Sequence, residues 1–171
     1  EAEGAVASVG IEQLYQRHAR DVFRIVHRLL GPQASEADVD DLVQQTFIAA
    51  HKALPSFRGD SQLSTWLYGI ASRQTLAYLR KKRRYRALLD RFQSKATERL
   101  EPNQEQRAEV QQVWRALSRI SPKKRVAYLL HDVAGHSAPD IARMLEIPEP
   151  TVRSRLRHAR KELAAALEDK S

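Results

Sequence analysis

Apolar residues recur at three- and four-residue spacing along almost the whole chain, and no alternating run bounded by hairpin turns breaks the pattern. That period lines one face of a helix but would scatter over both faces of a strand, so the expected fold class is all-α. Ile11, Leu14, Tyr15, His18, Val22, Ile25, Val26 and Leu29 make one stripe, which Gly31-Pro32 cannot continue, giving a helix over about 11–30. Ser35, with Asp38 three residues on, resembles a capping box ahead of Val39, Leu42, Val43, Phe47 and Ala50, giving a second helix over about 36–54. A third begins near Gln62 and runs through Trp66, Leu67, Ile70 and Leu79 into the basic run Arg80-Lys81-Lys82-Arg83-Arg84.

The next stretch mixes charges of both signs with few apolar positions, so residues 87–104 are read as a linker between two small helical domains, 8–86 and 105–168. Leu88, Leu89 and Phe92 could carry the third helix two turns further. In the second domain, helices are expected over about 105–120, 122–133, 138–146 and 150–167, with Ser137 and Asp140 capping the third of these. The last two are joined by Glu146-Ile147-Pro148-Glu149. A short turn before a strongly basic helix is a helix-turn-helix signature.

The 171 residues leave room for one ordinary domain or two very small ones, not a large catalytic scaffold. With no cysteine there is no disulfide framework, thiol nucleophile or Cys-ligated zinc. No apolar run reaches the length of a membrane span, and the first ten residues lack the basic flank and apolar stretch of a signal peptide; an unexported protein without membrane insertion is expected. The six histidines are scattered, with no phosphate-binding glycine loop or nucleophile elbow. Neither catalytic residues, a metal nor a cofactor is expected, hence no enzyme activity from this chain. Its 29 Lys plus Arg against 21 Asp plus Glu leave a net charge of +8, which favours a polyanionic partner.

Three helix faces divide that charge. On the last helix, Val152, Leu156, Ala159 and Leu163 form the packing stripe; Thr151, Ser154, Arg157, His158 and Lys161 lie opposite, edged by Arg153, Arg155 and Arg160. Such a face enters a major groove, where Arg reads guanine and Ser, Thr and Lys reach bases or phosphates. On the second helix, Ile48 sits among Asp40, Asp41, Gln44 and Gln45: either an apolar docking centre with a polar rim or one scattered surface residue. On the third, Trp66, Arg73, Arg80 and Arg84 share a stripe beside Gly69, which leaves backbone accessible, behind the loop Phe57-Arg58-Gly59-Asp60-Ser61. Aromatic faces alternating with cations suit unpaired bases, at about 1–3 kcal/mol per stacked base, while a lone Trp on a helix more often packs into a core.

The run Asp40 to Phe47, the loop Phe57 to Ser61 and the segment Ser64 to Ala71 together resemble region two of extracytoplasmic-function sigma factors, group four of the bacterial sigma-70 family. Ile141-Ala142, Ile147 to Leu156 and Ala159-Arg160 resemble their region four. The resemblance covers nearly the whole chain in order. It implies a promoter-specificity subunit of RNA polymerase, with Asp40, Asp41, Gln44, Gln45 and Ile48 docking on core polymerase. It also implies that Phe57, Arg58, Gly59, Asp60 and Ser61 capture a flipped base of the minus-ten element, with Trp66, Arg73, Arg80 and Arg84 along the melted strand. The last helix, through Thr151, Arg153, Ser154, Arg155, Arg157, His158, Arg160 and Lys161, would read duplex minus-thirty-five DNA. An anti-sigma factor is the implied inhibitor, and the cytoplasm, with membrane recruitment through that inhibitor, the implied location. The chain departs from the family pattern at Arg73, Ala77 and Pro150, where Asn, Asp and Gly are common. The competing readings are a stand-alone helix-turn-helix regulator and a general single-strand binder.

Overall fold

The computed structural model describes residues 10–92 and 105–168. The first domain holds α1 (Ile11–Leu30), α2 (Glu36–Ala53) with a 3-10 turn at Leu54–Ser56, and α3 (Leu63–Phe92). The second holds α4 (Glu105–Arg119), α5 (Pro122–Tyr128), α6 (Ala138–Leu145) and α7 (Glu149–Glu168). The boundaries follow local chemistry. α1 stops at Gly31, whose φ of 96° continues no helix, while the Ser35 and Ser137 side chains accept from the Asp38 and Asp140 amides and so open α2 and α6.

Two elements differ from the expectation. α3 runs on to Phe92, taking in the first residues of the expected linker. No Gly or Pro lies between Gly69 and Pro102, and the Leu, Ala, Lys and Arg that fill the stretch propagate a helix readily. The remaining linker residues, 93–104, lie outside the described residues. The helix expected over 122–133 is α-helical only to Tyr128 and closes in a π turn, Leu129–Val133, where the Ala134 amide donates to Leu129 O at 2.9 Å.

α1, α2 and α3 pack pairwise around Leu14, Val22, Val26, Leu29, Val39 and Leu67, each no more than 1 % exposed. α7 lies against α4, α5 and α6 over Val126, Leu129, Leu130, Ile141, Met144 and Val152. Burying each Leu, Ile, Val or Met side chain contributes about 1.5–3 kcal/mol before entropic costs. The recognition turn is sharp because Glu146 takes a left-handed conformation (φ 54°) and the Ile147 amide donates to Ala142 O at 3.0 Å.

The two domains meet along a seam where α3 packs on α5 and α6. Glycines allow the close approach. A Cβ on Gly69 would lie 3.0 Å from Met144 O and 3.1 Å from Met144 Cα, and one on Gly31 would lie 2.9 Å from the Trp114 ring. Gly69, expected to leave backbone accessible, is therefore covered: the helix period fixes its angular position on α3 but not what packs over it.

Candidate functional site

The acidic face of α2 is built as a groove. Asp40, Asp41, Gln44 and Gln45 are exposed, and Ile48, at 50 % exposure, stands among them. The groove, of about 820 Å³, is completed from α1 by Ile11 and Tyr15. Tyr15 falls on the apolar stripe of α1 by spacing, yet it is 51 % exposed and packs edge-on against Phe47, the ring centroids 4.9 Å apart. A residue bordering a helix stripe belongs to whichever neighbour covers it, and sequence spacing does not name that neighbour. At the start of α2, the Tyr78 hydroxyl, with Ser35 and Lys82, holds the Asp38 carboxyl below its ordinary pKa, so the carboxylate there is secured; Tyr78 in turn is pushed up to about 12 by burial and by Asp38.

The loop Phe57–Ser61 projects ahead of α3 with Arg58, Gly59 and Asp60 exposed, and Gly59 turns it at φ 75°. Phe57 and Trp66 are both half-buried with ring centroids 5.0 Å apart, so Trp66 is neither a full core residue nor a free stacking platform. It forms with Phe57 one aromatic surface at the root of the loop. Further along α3, Arg80 and Arg84 line a cleft of about 630 Å³ floored by Ala77, Ala87 and Pro122. Arg73 does not share their freedom. Its Nη1 donates to Met144 O at 2.7 Å and lies 3.0 Å from Glu146 Oε1, across the seam at the end of α6.

On α7, Arg153, Arg157, His158, Arg160 and Lys161 are exposed, and Thr151 and Ser154 half-exposed. Several are already engaged: Arg153 with Glu149 at 2.8 Å, Arg160 with Asp132 at 2.8 Å, and His158 Nδ1 with Ser154 O at 2.7 Å. These contacts orient the side chains along the face while leaving donors free for a polyanion. Arg155 stands apart. It is half-buried, and burial together with the charge of Arg80 lowers its guanidinium pKa. Among the described residues no group of three His, Asp or Glu side chains could hold a metal ion.

The arrangement thus keeps two chemistries apart: an acidic and apolar groove on α2, and cationic surfaces on α3 and α7. Sequence reasoning missed the seam residues Trp114, Met144 and Arg125; only Gly31 and Gly69 hinted at close approach.

Residues 14–85 match the family model of Sigma-70 region 2, and residues 110–163 that of Sigma-70, region 4. Over 159 residues the chain is 35 % identical to the ECF RNA polymerase sigma factor SigM of Mycobacterium tuberculosis, spanning 91 % of this chain and 76 % of that protein. It is likewise 35 % identical over 153 residues to the ECF RNA polymerase sigma-E factor of Escherichia coli K12, spanning 81 % of this chain and 80 % of the relative. Among solved structures, CnrH in complex with the cytosolic domain of CnrY superposes with a TM-score of 0.67 at 27 % identity, covering 99 % of this chain and 96 % of that one. The sigma factor RpoE in complex with the anti-sigma factor NepR, from Bartonella quintana, superposes with a TM-score of 0.64 at 25 % identity, covering 92 % and 96 %.

Proposed function

We infer the function from one premise: this chain belongs to the extracytoplasmic-function branch of the sigma-70 family, carrying regions two and four in order. It is an RNA polymerase sigma factor that directs promoter-specific initiation. The observation that carries the division of labour is the separation of charge. The groove around Ile48, lined by Asp40, Asp41 and Gln44 with Lys52 at its edge and the exposed Gln45 nearby, offers an apolar centre within a polar rim, which suits core polymerase. The cationic surfaces suit DNA: Phe57 to Ser61, Trp66, Arg80 and Arg84 for the melted minus-ten strand, and α7 for the duplex minus-thirty-five element.

Arg73 belongs to the minus-ten set only when the domains separate, because α6 covers Gly69 and engages the Arg73 guanidinium. Arg155 of α7, half-buried, is the least accessible cation of the minus-thirty-five set. Initiation therefore includes an opening step before both promoter elements are read. Relatives held in complex with CnrY and with the anti-sigma factor NepR support an anti-sigma factor as this chain's inhibitor. The working compartment is the cytoplasm, with the inhibitor the route to any membrane recruitment; among the described residues no helix is long and apolar enough to cross a membrane. As a specificity subunit the chain leaves bond formation to the polymerase.

The test is reconstitution with sigma-free core polymerase. Specific initiation from a two-element promoter is expected, whereas a stand-alone regulator would footprint duplex DNA without polymerase, and a general single-strand binder would show no promoter preference. Ile48→Glu, at a half-exposed position, should leave the helical content unchanged and abolish co-purification with core. Normal co-purification would remove Ile48 from the docking surface.

A further inference from the structure

The exposed arginines of α7 are of two kinds. Arg157 makes no hydrogen bond or ion pair among the described residues, whereas Arg153 and Arg160, along one edge of the reading face, are each tied to a carboxylate. Arg153 finds Glu149 on its own helix, but the partner of Arg160 is Asp132, which α7 does not supply. Arg160 Nη2 donates to Asp132 Oδ1 at 2.8 Å and lies 3.4 Å from His131 Nδ1, while its Nε and Nη1 make no bond among the described residues.

Asp132 sits on the π turn that closes α5, a feature frequent at functional sites. Val126, Leu129 and Leu130 are buried, and an unbroken α-helix would carry their stripe on to Val133. The backbone widens instead, the Ala134 amide donating to Leu129 O and the His136 amide to Leu130 O, each at 2.9 Å, and Val133 is 50 % exposed. Asp132 lies against α7 beside the surface that meets DNA, where by charge alone it repels the phosphates that Arg160 attracts. With side chains 51 % and 26 % exposed, the pair adds little to the stability of the fold. What Asp132 does supply is order: a free Arg must give up rotamer freedom to hold one phosphate, and Arg160 has already given it up with Nε and Nη1 still able to donate.

We propose that Asp132 is a positioning residue for minus-thirty-five binding: from the π turn it holds the Arg160 guanidinium where it meets a backbone phosphate flanking the major groove, so that removing this negative charge weakens the grip on DNA instead of strengthening it. The inference rests on the promoter reading of α7 and adds to it a residue from outside that helix.

The test uses holoenzyme reconstituted from the full chain and core polymerase, on a promoter carrying both elements and on one lacking minus-thirty-five. Asp132→Asn should weaken binding to the intact promoter by about twofold to fivefold and leave binding to the truncated one unchanged, and Asp132→Glu should recover part of the loss. Glu162→Gln is the matched control. Glu162 also pins α7 to α5, through Lys124 Nζ at 2.5 Å, and its loss removes the same charge, but it engages no cation assigned to the reading face, so it should not weaken binding. Arg160→Gln should make the salt dependence shallower by about one phosphate contact, and in that background Asp132→Asn should cost nothing further. Unchanged or tighter binding by Asp132→Asn would overturn the assignment, as would an equal loss in Glu162→Gln or an undiminished loss once Arg160 is replaced. If the parent holoenzyme does not distinguish the intact promoter from the truncated one, the promoter reading itself fails and takes this inference with it.

Discussion

Replacing Arg73 by Ala removes the best-defined polar link between the two domains, and its effect can be worked from the geometry. Arg73 Nη1 donates to Met144 O at 2.7 Å, a bond from a charged donor that contributes about 1.5–3 kcal/mol when part-buried. Glu146 Oε1 lies 3.0 Å away, but its side chain is 70 % exposed, so solvent screening holds that pair to about 1 kcal/mol or less. The first domain loses little by the change, because both partners belong to the second. The compact form should therefore weaken by about 2–3 kcal/mol, which raises the open-to-compact ratio by about 30-fold to 150-fold. The chain has no cysteine, so Gln16→Cys and Ala164→Cys give two unique dye positions on exposed helix faces. Single-molecule transfer between them reads the open fraction directly, without DNA or polymerase. Glu146→Ala alone should produce only the smaller share of the shift, and the double variant should add little to Arg73→Ala. If Arg73→Ala leaves the open fraction unchanged, apolar packing holds the seam and the Arg73 contact does not.

Gly69→Ala should separate two effects: a helix-interior Ala gains about 1 kcal/mol over Gly, yet its Cβ would press on Met144 O at 3.0 Å. Far-ultraviolet dichroism should show helix content at least as high as the parent's while the transfer signal shows a larger open fraction; an unaltered signal would mean that the seam yields at no cost. Arg157→Ala should weaken minus-thirty-five binding by about 1–3 kcal/mol and relax base choice, and an unchanged footprint would remove it from the reading face. The imidazole of His136, in the loop before α6, is held below its ordinary pKa of 6.5 first by burial and then by the charge of Arg28, with Asp140 acting the other way. The unfolded chain thus takes up that proton first, so this contribution to stability is complete above the ordinary value and is lost as pH falls through the lower folded value. Melting temperatures between pH 7.5 and 5 should fall less for His136→Gln than for the parent, and parallel curves would exclude the residue.

Much of this was legible in the sequence for a physical reason that particular residues make plain. Gly31-Pro32, Ser35 with Asp38 and Ser137 with Asp140 set helix ends through contacts only a few residues long, and α1, α2 and α6 begin and end within a residue or so of where those signals put them. The Asp40 to Ile48 face and the outer face of α7 were equally readable, since angular position on a helix follows from spacing. Tyr15 and Trp66 were not, because each borders a stripe and its exposure depends on which neighbour arrives. The π turn at Leu129–Val133 also left no local mark.

By itself, then, the sequence determined that this chain is helical, where most helices start and stop, and that its positive charge falls in two blocks beside one acidic face. Those features rest on interactions three or four residues apart, which any window of the chain contains. The tertiary structure alone decided that Gly69 lies under Met144, that Arg73 is engaged before any DNA arrives, and that Arg125 is buried against other cations. Each is a contact between residues tens of positions apart, set by how two packed domains meet.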